Sequence, residues 1–194
     1  MEAATCESPL NHALIQIYRD GTDFISEHAD KTLDIQRYTK IAGVSFGASR
    51  VLVLRTKDKT RRQLITLPNN SIFILGWETN RLWRHAIKQD KRMPTLKRAD
   101  ETFENGQRIS LTFRNIATFR RLSDSRLFGQ GALYKTLQYL EVNDKEEPDE
   151  RKESLLLLEA FHEENASTDF SWGKWYGAGF GVKDFRIINL EQDE

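Results

Sequence analysis

The chain has 194 residues, of which 39% are hydrophobic and 30% charged, and its formal net charge is zero. This composition fits one globular domain with a single appended element. No apolar run approaches the roughly 18 residues of a membrane span, residues 1–10 lack the pattern of a signal peptide, and the lone Cys6 excludes an internal disulfide framework. We therefore expect an intracellular protein, of cytoplasm or nucleus, with no membrane partner.

The predicted elements of the first 120 residues are short strands. Apolar alternation and β-branched residues mark them, and turn signals such as Asp20-Gly21 and Asn105-Gly106 separate them. A rim loop is expected over 89–104. Many short strands predict a mainly β fold, a double-stranded β-helix (jelly roll) core of the cupin type over residues 1–120. The strands are predicted at 13–19, 24–28, 42–55, 62–67, 71–76, 82–88 and 107–117.

After Phe119 the pattern changes toward helix. Apolar spacing predicts a helix over Asp124–Tyr139 with a break near 128–132, a solvated loop over 143–153 and a helix over Ser154–Glu164. The segment 169–180 concentrates aromatic residues among glycines. Residues 121–194 are therefore expected to form a helical, aromatic-rich extension packed on the core.

The two parts differ in charge. Residues 1–140 hold 23 Lys and Arg against 14 Asp and Glu, whereas residues 141–194 hold 6 against 15. A basic surface suits a phosphate backbone. The alternative is that the acidic tail folds over the basic face and neutralises it.

The main chemical signal is a pattern of candidate metal ligands. His28 and Asp30 are two residues apart, so if the chain is extended over Ser26–Asp30 both side chains point to one face. His85 lies in another predicted strand and supplies a third candidate. Two imidazoles and one carboxylate on one face are typical of non-haem Fe(II) oxygenases, which keep three coordination positions open.

Two arginines on a later strand complete the pattern. Arg108 and Arg114 are six residues apart, so in an extended segment they share a face, while Ile109, Leu111 and Phe113 point the other way toward packing. A planar guanidinium binds a carboxylate with two parallel hydrogen bonds. This pairing suits 2-oxoglutarate, which carries two carboxylates.

Five stretches together resemble the AlkB-like 2-oxoglutarate oxygenases, in the family's order and over about residues 15–119. The resemblance implies Fe(II) ligation by His28, Asp30 and His85. It further implies that Arg108 binds the distal carboxylate of 2-oxoglutarate and Arg114 lies near the carboxylate beside the keto group. The stretches are 15–30, 44–50, 67–75, 82–87 and 108–114, and the other implied cosubstrate residues are Tyr18, Gln16 and Ser110.

The resemblance implies an enzyme that uses Fe(II), 2-oxoglutarate and dioxygen. Its leading implied function is oxidative demethylation of N-alkylated bases in DNA repair, with single-stranded or damaged nucleic acid as the partner. Three departures bear on it: Gln16 replaces an Asn, Lys31 and Thr32 replace acidic base-reading residues, and only 17 residues precede Tyr18, which suggests a shortened N-terminus without the lid.

These departures leave two alternatives open. The first is oxidation of a small metabolite or amino-acid derivative at the same iron site, and the second is a binding module with a decayed site. Trp77 and Trp83 flank His85, and their rings suit either core packing or stacking on a flat substrate. His12 and His162 are expected to be structural or exposed.

Overall fold

The computed structural model describes residues 9–143 and 148–185, which form two compact units. The first unit comprises residues 9–30 and 37–115, and the second comprises residues 31–36 with 116–143 and 148–185. The segment 31–36 follows Asp30 in the chain and belongs to the second unit. The division at residue 120 and the packing of the extension on the core stay predictions.

The first unit is built from two four-stranded antiparallel sheets. Their orders are β1-β8-β3-β6 and β2-β7-β4-β5, so the chain passes repeatedly from one sheet to the other. This arrangement is the expected jelly roll. The strands are β1 (His12–Tyr18), β2 (Ile25–His28), β3 (Ile41–Gly47), β4 (Arg50–Thr56), β5 (Arg62–Leu67), β6 (Ser71–Leu75), β7 (Trp83–Ile87) and β8 (Arg108–Arg114).

Three local features differ from the sequence predictions. The single strand predicted at 42–55 is β3 and β4, because Gly47 has φ 88° and a Cβ there would lie 2.3 Å from the Gln107 carbonyl oxygen. A short helix, α1 (Trp77–Leu82), leads directly into β7. The predicted rim loop contains a second short helix, α2 (Ala99–Thr102), between 3-10 turns at Pro94–Leu96 and Phe103–Gly106.

The sheet of β1, β8, β3 and β6 presents two different faces. Its inner face carries polar residues, among them Gln16, Ser45 and Arg108, that line a cavity between the two sheets. Its outer face is apolar and exposed, with Ile15 63% and Ile109 42% accessible. The expectation that Ile109 packs was therefore wrong, although its orientation away from Arg108 was correctly inferred from the strand period.

The second unit begins with a hairpin of β9 (Thr118–Arg120) and β10 (Leu127–Gly129). Three helices follow: α3 (Leu137–Val142), α4 (Glu150–Ala166) and α5 (Trp172–Tyr176). The helix predicted over Asp124–Tyr139 was wrong before the predicted break near 128–132, because β10 lies there and ends at Gly129, whose φ is 112°. After the break only 137–139 are helical, as the start of α3. Residues 144–147 of the predicted solvated loop lie outside the described residues, and α4 begins within its remainder.

Tyr176 is the centre of the second unit's core. It is fully buried, and the rings of Phe161, Phe170, Trp172 and Phe180 surround it at centroid distances of 5.1–6.2 Å. The aromatic-rich segment 169–180 thus forms this unit's hydrophobic core. Within the described ranges, no helix has the length and hydrophobicity needed to cross a membrane.

Candidate metal and cosubstrate site

His28, Asp30 and His85 come together in the first unit. His28 pairs directly with His85 across β2 and β7, and the two ring centroids are 4.3 Å apart. The Asp30 Oδ1 atom lies 3.6 Å from His28 Nε2 and 3.8 Å from His85 Nε2. One ligand atom from each residue lies within 4.8 Å of the others. These three donors are the set that the sequence predicted for Fe(II).

The electrostatics of the three side chains suit a divalent cation. Burial opposes the charged form of Asp30, but the adjacent His28 and the charge of Arg114 outweigh it and hold the pKa of that carboxyl below its usual range. Burial lowers the pKa of His85 to about 4, so its imidazole is neutral at pH 7. His28 Nδ1 lies 2.7 Å from the Ser26 carbonyl oxygen and donates to it, which leaves Nε2 as the metal-binding atom.

Asn80 holds the backbone of Asp30. Its side-chain Oδ1 accepts from the Asp30 N–H at 2.9 Å, and its Nδ2 donates to the Asp30 carbonyl at 2.8 Å. Asn80 is 3% exposed and lies on α1, just before the strand that carries His85. Sequence reasoning missed this residue, because nothing in one sequence links positions 50 residues apart.

Arg108 lies on the inner face of β8, buried beside three polar side chains. Its Nη2 donates to Ser45 Oγ at 2.8 Å and to Ser110 Oγ at 3.3 Å. Its Cζ is 5.1 Å from the ring centroid of Tyr18, its cross-strand neighbour. Burial raises the pKa of the Tyr18 phenol, so the hydroxyl stays protonated and can donate. Ser45 was not predicted; its pairing with Ser110 across β3 and β8 brings it here.

The donors of Arg108 fit a carboxylate. Its Nε and Nη1 atoms are buried and have no hydrogen-bond partner among the described residues. Buried unsatisfied donors are costly, and a charged guanidinium with free N–H groups is suited to an anionic group such as a carboxylate. Residues around Arg108 therefore fit one end of 2-oxoglutarate, a five-carbon dicarboxylate.

Arg114 and Gln16 line the same cavity, whose volume is about 130 Å³. Arg114 Nη2 donates to Asp30 Oδ2 at 3.2 Å, so this arginine lies beside the metal triad. Arg108 and Arg114 both face inward, as their even spacing predicted. Gln16 lies opposite Ser110 in the register of β1 and β8. The three candidate metal ligands and the five candidate cosubstrate residues named from the sequence thus all line one cavity of the first unit, whereas Trp77 and Trp83 do not line it.

Arg50, to which the sequence assigned no role, holds the wall behind Tyr18. Its guanidinium donates to the carbonyl oxygens of Asp20, Asp23 and Lys88 at 2.7–3.1 Å. Its Cζ also lies 5.5 Å from the Tyr18 ring centroid. Arg50 therefore holds the loop after β1 beside Tyr18.

Comparison with known families decides what kind of protein has this site. A family model described as the 2OG-Fe(II) oxygenase superfamily matches residues 2–114, more than half of the chain. The chain belongs to this superfamily. Members use Fe(II), 2-oxoglutarate and dioxygen, as the sequence led us to expect, and the His28, Asp30 and His85 cluster with Arg108 fits that set.

Several curated relatives support the AlkB-like assignment. An uncharacterized protein R406 of Acanthamoeba polyphaga mimivirus is 35% identical over 54% of this chain and 49% of its own length. The human DNA oxidative demethylase ALKBH2 is 33% identical over 55% and 40%. Bovine alpha-ketoglutarate-dependent dioxygenase alkB homolog 3 is 29% identical over 55% and 36%. The chain thus spans less than half the length of these relatives.

A solved structure, OsALKBH1, is also similar, with a TM-score of 0.42, 17% identity, and coverage of 56% of this chain and 49% of that one. The jelly-roll assignment depends on the strand order of the first unit.

Proposed function

We propose that the chain is a 2-oxoglutarate-dependent non-haem iron dioxygenase that oxidatively demethylates N-alkylated bases of nucleic acid. One observation carries the proposal: His28, Asp30 and His85 converge within 4.8 Å beside a cavity that also holds the unsatisfied donors of Arg108. When bound, Fe(II) and 2-oxoglutarate supply the oxidising chemistry, in which dioxygen converts 2-oxoglutarate to succinate and carbon dioxide and hydroxylates a substrate C–H bond. A hydroxylated N-methyl group then leaves as formaldehyde.

The chain's own residues position these groups. His28, Asp30 and His85 would hold the metal, with His28 and His85 each offering an imidazole nitrogen and Asp30 a carboxylate oxygen. Arg108, with Tyr18, would bind the distal carboxylate, while Arg114 neutralises Asp30 and the nearer carboxylate. Apolar side chains, among them Leu14, Leu52 and Phe73, line the same cavity beside the polar ones.

Support for a nucleic-acid substrate comes from the relatives and from charge. ALKBH2 is named a DNA oxidative demethylase. In the first unit, five basic residues are exposed and form no ion pair with described residues, whereas Arg92 and Arg98 are paired with acidic neighbours. Exposed cations favour a phosphate backbone. The five are Lys59, Arg61, Arg62, Lys88 and Lys91, whereas the nearby Lys57 is buried.

One observation favours the alternative, oxidation of a small metabolite or amino-acid derivative. Lys31 and Thr32 follow Asp30, where repair members carry acidic residues that read the base. Lys31 Nζ donates to the Phe161 carbonyl at 2.8 Å, and Thr32 is buried against Glu164 in the second unit. Neither side chain offers a carboxylate to an amino group of a base.

Succinate release tests the proposal. The purified chain is supplied with Fe(II), ascorbate and 2-oxoglutarate, with and without a single strand that carries 1-methyladenine and 3-methylcytosine. We expect the methylated strand, but not its unmethylated twin, to stimulate succinate and formaldehyde release. If neither strand changes the rate of succinate release, the oxygenase assignment stands and the small-molecule alternative is supported.

Two histidine variants serve as matched controls. His85→Ala removes a ligand donor and should abolish turnover, while His162→Ala removes an exposed histidine of α4 and should leave it unchanged. Normal turnover of His85→Ala would overturn the ligand assignment.

A further inference from the structure

Tyr38 is an exposed aromatic residue in an unusual backbone conformation. Its side chain belongs to the first unit and is 70% exposed, and its φ is 65°. The left-handed region is rare for a bulky residue and persists only where surrounding contacts hold it in place. Because the Tyr38 ring is mostly exposed to solvent, packing in the hydrophobic core does not explain its position.

Two neighbouring side chains hold the Tyr38 ring. Arg37 Nη2 donates to the Tyr38 hydroxyl at 2.8 Å, and the Arg37 Cζ lies 5.0 Å from the ring centroid. The Trp77 ring lies 5.4 Å from the Tyr38 ring, with 53° between their planes. Tyr38 and Trp77, which we name the aromatic platform, thus lie side by side, and Arg37 restrains the Tyr38 ring.

The aromatic platform is tied to the metal site through α1. Trp77 is the first residue of this helix and Asn80 lies three residues later. Residues so spaced are neighbours on a helix surface, with Cβ atoms roughly 5–6 Å apart. Because Asn80 binds both backbone groups of Asp30, Trp77 stands about one side chain away from the segment that carries a metal ligand.

We propose that Tyr38 and Trp77 are specificity-determining residues that stack on a base of a single-stranded nucleic-acid substrate. The inference rests on the proposed function and names part of its substrate site. Aromatic rings bind bases through their faces, and a ring that is already fixed loses little conformational entropy on binding. The exposed cations Lys59, Arg61, Arg62, Lys88 and Lys91 of the same unit favour a strand with phosphates over a free base.

Fluorescence anisotropy at one fixed salt concentration tests the platform. The probe is a labelled single strand with one 1-methyladenine, compared with the same strand carrying an abasic site there. We expect the full chain to bind the base-containing strand about five- to tenfold more tightly, the effect of one base on one aromatic ring. Tyr38→Ala should bring this ratio close to one.

Two further variants separate stacking from general damage. Tyr38→Phe keeps the ring without the hydroxyl and should preserve the ratio. Tyr139→Ala removes an equally conspicuous tyrosine, 55% exposed in α3 of the second unit, and should also preserve it. In turnover, Tyr38→Ala should raise the KM for the methylated strand at least fivefold, with less than a twofold change in kcat.

The possible outcomes decide between the two proposals. A ratio of one in the unmodified chain, or an unchanged ratio in Tyr38→Ala, would overturn the platform even if methylated strands stimulate succinate release. A ratio that depends on Tyr38 without any stimulation of succinate release would retain the platform and reject demethylation. Equal loss of the ratio in Tyr139→Ala would also refute a specific role for Tyr38.

Discussion

Arg108 and Arg114 contact different parts of the cavity, although both were predicted as cosubstrate residues. Arg108 has two unsatisfied nitrogens and lies among Tyr18, Ser45 and Ser110. Arg114 is already bound to Asp30, a metal ligand. Their substitution should therefore affect cosubstrate and metal binding in different proportions.

We expect Arg108→Ala to raise the KM for 2-oxoglutarate by about 10- to 100-fold, because charge-assisted hydrogen bonding to the distal carboxylate is lost. Its affinity for Fe(II) should change little. Arg114→Ala should weaken both, since it removes the partner of Asp30. Cosubstrate-dependent succinate release and Fe(II) titration give the two quantities. Equal loss of iron affinity in both variants would contradict the assignment of Arg108 to the carboxylate.

Asn80 provides a second residue-scale prediction. Asn80→Ala leaves the Asp30 N–H and C=O without their side-chain partner in a buried place, which costs about 1–3 kcal/mol of stability. Because the lost contacts orient a ligand, Fe(II) affinity should fall by about 10-fold or more. Both effects are measurable by thermal unfolding and by metal titration.

A second asparagine is the matched control for this effect. Asn69 Oδ1 accepts from the Gly47 N–H at 2.9 Å, an exposed bond that involves no ligand segment. Asn69→Ala should reduce stability without weakening Fe(II) binding. If Asn80→Ala behaves in the same way, Asn80 is a structural residue and does not position the metal ligand.

At the scale of elements, helix α4 is joined to the segment 31–36 by a buried acid. Glu164 Oε1 accepts from the backbone N–H of Thr32 at 3.0 Å, and Oε2 accepts from the Tyr176 hydroxyl at 2.6 Å. Burial raises the pKa of Glu164, although hydrogen bonds from Thr32 and Tyr176 oppose the shift. The folded chain therefore favours the protonated acid more than the unfolded chain does.

The sign of the resulting pH effect follows from linkage. A raised folded pKa contributes stability below the unfolded pKa, near 4.5, and this contribution is lost as pH rises through the folded value. In Glu164→Gln the side chain cannot ionise, so its contribution to the free energy of unfolding does not fall as the pH rises. We expect the Tm of Glu164→Gln minus that of the unsubstituted chain to increase between pH 5 and pH 8.5. Glu159→Gln, exposed on the same helix, should give a constant difference, and a constant difference for both would refute the raised pKa.

Elements that depend on local pattern were predictable from the sequence. The period of two in a strand correctly placed Arg108 with Arg114 on one face of β8, because side-chain direction in a strand depends only on spacing. It does not account for Asp30, which lies beyond the end of β2 at His28 and is held by Asn80. The helix predicted over Asp124–Tyr139 failed because its apolar spacing was compatible with helix while Gly129 adopts a conformation that ends a strand.

Residues that act through distant partners were not predictable. Asn80 meets Asp30 across 50 residues, and Ser45 meets Arg108 across 63. Sheet register and helix placement create both contacts, and neither can be obtained from the local pattern of one sequence. The candidate metal ligands could therefore be predicted from the spacing of their motifs. The residues that position them, such as Asn80, could be identified only in the structure.

The whole molecule has no net charge, but residues 1–140 carry an excess of nine basic residues and residues 141–194 an equal acidic excess. If the exposed cations of the first unit bind phosphates, affinity for single strands must depend on salt. Log affinity should fall with log salt concentration by about 0.7 for each phosphate contacted. The magnitude of this slope therefore gives the number of phosphate contacts without a measurement of turnover.

We expect the double substitution Arg61→Ala with Arg62→Ala to make the slope shallower by about 1.4, the loss of two phosphate contacts. Arg120→Ala with Arg121→Ala removes the same charge from residues that are paired with Asp184 and Asp124, and should change the slope much less. Fluorescence anisotropy with an unmethylated strand at several salt concentrations gives both slopes. Equal slopes for the two double variants would mean that strand binding responds to total charge alone, and the exposed arginines at the start of β5 would then have no specific role.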